Sequence, residues 1–300
     1  MRITAILVII FSIGINFVFA DGVSIDKFVD SQHMTEQLED VTIPEKKSPI
    51  SIPTLNGTGY VFNIPTPMAT IFLERECQKG KRVIDIGCGF SDIPIEAIKN
   101  GVSEYIANDI SKDHLKILVK KAIDVFGKSN LTNLKVLHGQ VPNVLGELQG
   151  KYDAIFADKV IHFFSPSEIR DFIHWAKNAL NKNGRLYVTV SSVYGILGQH
   201  DDYKAKYLQN LENGEEFPGC FADVMSKLRE SGKDLVTIIP ECMVLFSKVD
   251  LENLFKSNGM KIIHSCSLKV LFEKEFGWGI VENENYENPG DFIEIIVEKY

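Results

Sequence analysis

Arg82-Val83-Ile84-Asp85-Ile86-Gly87-Cys88-Gly89-Phe90-Ser91-Asp92 is the stretch on which the reading of this chain turns. Its opening residues have the composition of a short buried strand. Gly87 and Gly89 follow as a turn, and a helical pattern starts at about Ser91. Glycine carries no Cβ, so a turn built this way lets backbone N–H groups come close to a ligand. A second short strand, Glu104 to Ala107, runs into Asn108-Asp109. That places an acid about 20 residues beyond the turn, at the end of the next strand, where a carboxylate suits the two hydroxyls of a ribose. Strand, glycine turn, helix, strand and acid together describe a nucleoside-binding βαβ unit.

The pattern continues on both sides. Pro67 precedes a helical segment from Met68 to Cys77, and Lys79-Gly80 ends it before the first strand. Leu115, Leu118, Val119, Ala122, Val125 and Phe126 follow helical spacing across Lys112–Phe126. Leu134–His138 and Tyr152–Ala157 read as strands three and four. Ser165-Pro166-Ser167-Glu168 is a helix start: Ser165 caps, Pro166 suits the first turn and Glu168 closes a capping box. Arg185–Val190 reads as strand five. Strands alternating with helices predict an α/β fold, a Rossmann-like doubly wound sheet that is mostly parallel.

The ligand follows from charge. A dinucleotide turn reads G-x-G-x-x-G/A, but here the third position is Asp92, and a carboxylate there repels a pyrophosphate. Asp85 stands two residues before the first glycine. Acids around the turn suit a ligand with an ammonium and a sulfonium. Val83-Ile84-Asp85-Ile86-Gly87-Cys88-Gly89 with Asp109 resembles the first and second motifs of the class I S-adenosylmethionine-dependent methyltransferases. The likeness extends over roughly Pro65–Tyr300. It implies S-adenosyl-L-methionine as cofactor, with Asp85, Gly87, Cys88 and Gly89 around the methionine end. Asp109 would take the ribose hydroxyls and Ile110 would pack on adenine. It implies that Gln140 and Val141, after strand three, border the adenine, Gln140 standing where the family often has an acid. It places the methyl acceptor beside Asp158 to Phe164, with Asp158 also at the methionine end. Asp158 and His162 are the catalytic candidates, His162 as general base because its ordinary pKa lies near neutrality. The family's last two strands form an antiparallel hairpin, which Met260–Leu268 and Asp291–Lys299 fit.

Composition bounds the rest. The chain has 300 residues, 45% of them hydrophobic, and a net charge of −8, which disfavours nucleic acid as a partner. Its five cysteines include no C-x-x-C pair, and His200-Asp201-Asp202 alone makes no ligand set, so no metal is assigned. Met1-Arg2, the apolar run Ile3–Phe19 and then Ala20-Asp21 form a secretory signal, residues 1–20, with an uncleaved anchor as the alternative. Export, or attachment to a membrane by that anchor, is the expected destination. Residues 21–49 are polar and read as a linker. Residues 50–300 are the methyltransferase-like domain, with an insertion at about 191–247 read as a lid over the substrate.

The expected activity is methyl transfer to oxygen or nitrogen of a small molecule. No N-P-P-Y or D-P-P-Y run marks a planar amide or base nitrogen as acceptor. The alternatives are a methyltransferase of protein side chains and a non-catalytic interaction protein of the same fold. The sequence leaves the acceptor and the oligomeric state open.

Overall fold

A computed structural model describes residues 28–36, 51–56, 60–62, 65–148, 150–195, 201–224, 242–273, 277–283 and 290–300, with a few single positions between them. In chain order the elements are β1 (Phe28–Asp30), α1 (Ser31–Thr35), β2 (Ser51–Pro53), β3 (Tyr60–Phe62), α2 (Pro67–Arg75), β4 (Arg82–Ile86), α3 (Ile93–Lys99), β5 (Glu104–Asp109), α4 (Lys112–Phe126), β6 (Leu134–His138) and β7 (Tyr152–Asp158). They continue with α5 (Pro166–Ala179), β8 (Leu180–Ser191), α6 (Asp201–Glu212), β9 (Cys220–Phe221), β10 (Met243–Val244), α7 (Lys248–Ser257), β11 (Lys261–Glu273), β12 (Gly277–Asn283) and β13 (Phe292–Glu298).

A single sheet runs in the order β1-β6-β5-β4-β7-β8-β13-β11-β12. The central strands β6, β5, β4, β7 and β8 are parallel, and β13, β11 and β12 are antiparallel. The chain builds outward from β4 to β6, then returns to place β7 on the other side of β4. This reversal is the topological switch point at which open α/β sheets bind ligands. The expected doubly wound sheet with an antiparallel C-terminal end is therefore what forms.

Strand side chains alternate between faces. Ile84, Ile155, Leu186 and Ile295 are buried on one face with α5 and α7. Val83, Phe156, Tyr187 and Ile296 are buried on the other with α2, α3 and α4. Helices begin where the caps predict: Ser165 and Ser247 each close a capping box, and Thr66 and Ser111 cap α2 and α4.

Several expectations change. Residues 28–35 belong to the domain rather than to a linker. Phe28–Asp30 pairs antiparallel with the edge of β6, and Met34 is buried. Edge pairing uses backbone groups and needs no apolar period, so composition hid it. The strand after α5 starts at Leu180, ahead of the expected Arg185. Within the segment expected as an insertion, Phe221 lies in β9 and pairs with β10. The insertion forms its own small core of Val193, Tyr203, Tyr207, Phe221, Met243 and Leu245, which reaches Phe163. Residues 1–20, expected as a signal, and His200 lie outside the described residues, as do the side chains of residues 270–283. No helix among the described residues is long and apolar enough to cross a membrane.

Candidate cofactor and active site

β4 delivers Asp85 and the glycine turn to the switch point, and β5 delivers Asp109 beside them. Asp85 is paired with Ala107 and Ile86 with Asn108, so Asp109 stands level with the turn. Two hydrogen bonds lock this arrangement. The Cys88 N–H donates to the Asn108 carbonyl at 2.8 Å, and the Gly89 N–H donates to Asp109 Oδ2 at 2.8 Å. Gly87 and Gly89 have φ of +67° and +58°, the left-handed region that residues with a Cβ avoid. Space demands glycine as well. A Cβ on Gly87 would lie 2.6 Å from Val160 Cγ2, and one on Gly89 would lie 2.8 Å from Val61 Cγ2.

Asp85 is 2% exposed, and its Oδ2 accepts the Tyr105 hydroxyl at 2.9 Å. Burial pushes its carboxyl well above the usual carboxylate range, against the Tyr105 bond; nearby Asp158 and Asp109 raise it further. Asp109 is also buried. Its Oδ1 accepts the Ser111 N–H at 2.7 Å and lies 3.0 Å from His114 Nδ1. His114 Nε2 in turn accepts the Leu55 N–H at 3.0 Å. That acceptor role fixes the ring proton on Nδ1, so the neutral ring donates to Asp109. Tyr105, Asn108 and His114 were not singled out in the sequence. His114 sits one helical turn beyond Asp109, but only the fold shows it reaching back.

The remaining expected residues lie in the turn after β4 and at or just beyond the C-terminal ends of β5, β6 and β7. Cys88 is buried, and burial, then Asp85 and Asp109, push its thiol pKa far up, so it is an inert part of the turn. Ile110 is 54% exposed at the end of β5, an apolar side chain open to a planar ligand. Val141 is buried, whereas Gln140 is exposed and donates from Nε2 to Glu168 Oε1 at 3.0 Å. Asp92 forms an ion pair with Lys121, whose Nζ also donates to the Phe90 carbonyl at 2.9 Å. The Asp92 charge is therefore largely answered by Lys121 and repels a pyrophosphate less than its position suggests.

Asp158 ends β7 opposite Thr189. Its Oδ2 pairs with Lys159 Nζ at 2.6 Å, and its buried Oδ1 has no hydrogen-bond partner. Lys159 has φ of +60°, a strained conformation for a residue with a side chain; such strain clusters at functional sites. His162 is 3% exposed, and its Nδ1 is buried without a partner. Burial, with Lys159 adding to it, lowers its pKa to about 3. His162 is thus neutral at physiological pH and a weak proton acceptor where it stands.

Residues 83–184 match the methyltransferase domain family. This chain carries a class I S-adenosylmethionine-dependent methyltransferase domain. The solved S-adenosylmethionine-dependent methyltransferase from Mesorhizobium loti has the same fold, with a TM-score of 0.50 at 15% identity over 78% of this chain and 96% of that one. Among curated relatives, the ribosomal protein L11 methyltransferase of Lactobacillus acidophilus is 30% identical over 130 residues, 43% of this chain and 37% of that protein. The probable cobalt-precorrin-6B C(15)-methyltransferase (decarboxylating) of Saccharolobus solfataricus is 30% identical over 115 residues, 37% of this chain and 53% of that one. The chain thus spans between about a third and a half of the length of the curated relatives it matches.

The domain's cofactor, S-adenosyl-L-methionine, fits the residues present. The turn around Gly87 and Gly89 admits no Cβ. Asp109 accepts its Gly89 N–H, Asp85 is buried two residues before it, and Asp158 Oδ1 is buried without a partner. Asp85 and Asp158 would face the cationic methionine end, and Asp109 and Ile110 the nucleoside.

Proposed function

We propose that this protein transfers a methyl group from S-adenosyl-L-methionine to an oxygen or nitrogen of a small-molecule acceptor. The observation that carries the reading is the joint placement of Asp85, the Gly87–Gly89 turn and Asp109 at the switch point. The cofactor supplies an activated methyl on a positively charged leaving group. The chain's own work is to orient the two partners in line and to manage one proton. Asp109 and the turn hold the nucleoside, and the segment Asp158–Phe164 borders the acceptor. Asp158 Oδ1, buried and unpartnered, is better placed to receive an acceptor's proton than the neutral His162.

The acceptor assignment rests on the absence of a planar-nitrogen motif and on the net charge of −8, which also argues against nucleic acid. The ribosomal protein L11 methyltransferase relatives favour a second reading, a protein acceptor. The segment 1–20 supports export, or membrane attachment if it stays uncleaved. Calorimetric titration of the full chain with S-adenosyl-L-methionine tests the cofactor reading. Saturable binding that is lost in Asp109→Ala supports it, and no binding by the folded wild-type chain defeats it. Mass spectrometry of small-molecule and protein fractions, read for a gain of one methylene, then separates the two acceptor classes.

A further inference from the structure

Outside the cofactor site, three side chains on neighbouring strands converge under the start of α2. His264 and Cys266 come from β11 and Glu294 from β13, with Cys266 directly opposite Glu294. Their ligand atoms all lie within 4.8 Å of one another. The pairing of β11 with β13 slips between Ile262 and His264, leaving Ile263 as an extra residue. Such a bulge re-aims the side chains that follow it. Here Ile262 packs on the α5 face of the sheet, while His264, opposite Ile296, comes round to the α2 face with Cys266 and Glu294.

Glu294 has no solvent exposure, and its Oε1 accepts the Met68 N–H at 3.0 Å. Its Oε2 lies 3.9 Å from Cys266 Sγ. A buried carboxylate at a helix start is well explained by that N–H and by the helix dipole. This account uses Oε1 only. It leaves His264 Nε2, buried and without a partner, unexplained. Thr189, opposite Glu294 on β8, also has a buried Oγ1 with no partner, so the polar row continues toward Asp158.

We propose that His264, Cys266 and Glu294 bind a divalent transition-metal ion, of which Zn²⁺ is the type. Imidazole, thiolate and carboxylate are zinc donors, and a thiolate selects against Mg²⁺ and Ca²⁺. Zinc bonds of about 2.0–2.3 Å in a tetrahedron put ligand atoms roughly 3.3–3.8 Å apart. Side-chain rotations on the order of 1 Å therefore complete the site. Three protein ligands leave a fourth position for water. Binding converts the Cys266 thiol to a thiolate and releases its proton to solvent. The site ties the C-terminal strands to α2, and it is independent of the methyltransferase reading.

The test is Co²⁺ titration of chelator-treated, full-length protein, followed by absorbance. The expected result is one Co²⁺ per chain, with a thiolate-to-cobalt charge-transfer band and visible bands of a four-coordinate ion, both displaced by Zn²⁺. Cys266→Ser removes the charge-transfer band. Glu294→Gln keeps an oxygen for the Met68 N–H and weakens binding at least roughly 10-fold, the lower end of losses seen even for outer-sphere partners. Cys242→Ser changes nothing. Thermal unfolding of each variant verifies its fold, and His264→Gln replaces any variant that fails. The proposal is overturned by absent saturable uptake in the wild type, by a charge-transfer band that persists in Cys266→Ser, or by one that disappears in Cys242→Ser.

Discussion

Gly87→Ala tests whether the glycine turn is held by Val160, in the loop proposed to border the acceptor. The added methyl meets two penalties. At φ of +67° a residue with a Cβ costs ~1–2 kcal/mol. At 2.6 Å from Val160 Cγ2 the methyl also overpacks, at a cost of about 1–3 kcal/mol. The single variant should therefore lose roughly 2–5 kcal/mol, a large part of the ~5–15 kcal/mol that stabilises a typical domain. Val160→Ala removes the Cγ2 that clashes at 2.6 Å and keeps the Cβ, which the new methyl would meet at 3.1 Å. Val160 is half-buried, so its own cost is about 1 kcal/mol. In the double variant the 2.6 Å clash is relieved, and backbone strain, lost burial and one tight Cβ contact remain, about 2–3 kcal/mol. The double-mutant cycle should then show a favourable coupling of ~1–3 kcal/mol, read from denaturant midpoints at constant m-value. A cycle that closes within about 0.5 kcal/mol would mean that Val160 does not press on the turn. Glycine would then be required at position 87 by its φ of +67° and not by lack of space.

Other outcomes follow from the charges. Burial raises the Asp85 pKa, and the cation of the cofactor should bring it back down. Binding then releases a proton between those two values, so affinity should weaken as pH falls through the raised one; flat affinity with heats independent of buffer contradicts this. For the same raised group, folding stability is fully present below the unfolded value and lost as pH rises through the folded one. Asp85→Asn should accordingly stabilise the empty protein at neutral pH, by ~1.4 kcal/mol per pH unit of displacement, while losing cofactor affinity. His114→Ala strands the Leu55 N–H and removes a donor from Asp109. It should cost about 2–3 kcal/mol by denaturation, and unchanged stability would refute the relay. With a His162 pKa of about 3, the methyl-transfer rate should show no histidine ionisation near neutrality. A limb at pH ~6.5 that vanishes in His162→Ala would restore His162 as the base.

What could be read from the sequence was local. Strand four to helix five is an example: Ser165-Pro166-Ser167-Glu168 states its own cap, and the capping box forms. The glycine turn and Asp109 were legible because backbone conformation and spacing impose residue types within about 20 positions. Edge strand β1 was not, since pairing to β6 asks nothing of side-chain pattern. Nor was the β9–β10 ladder, whose two-residue strands are too short to show a period.

The same distinction explains why candidate residues could be named from the sequence and their environments could not. Asp85, Asp109 and His162 could be named by position, but their chemistry depends on what covers them. Leu55 reaches His114 across 59 positions, and Met68 reaches Glu294 across 226. His162, placed by position where a base belongs, is silenced by burial that no spacing announces. Asp92, placed where it should repel phosphate, is answered by Lys121 from the following helix. The donors of the proposed metal site stand as His264-x-Cys266 and a distant Glu294, with a bulge needed to aim the histidine. A scan for paired cysteines passes over such a set, because its ligand spacing is made by strand pairing and exists only after the sheet has formed.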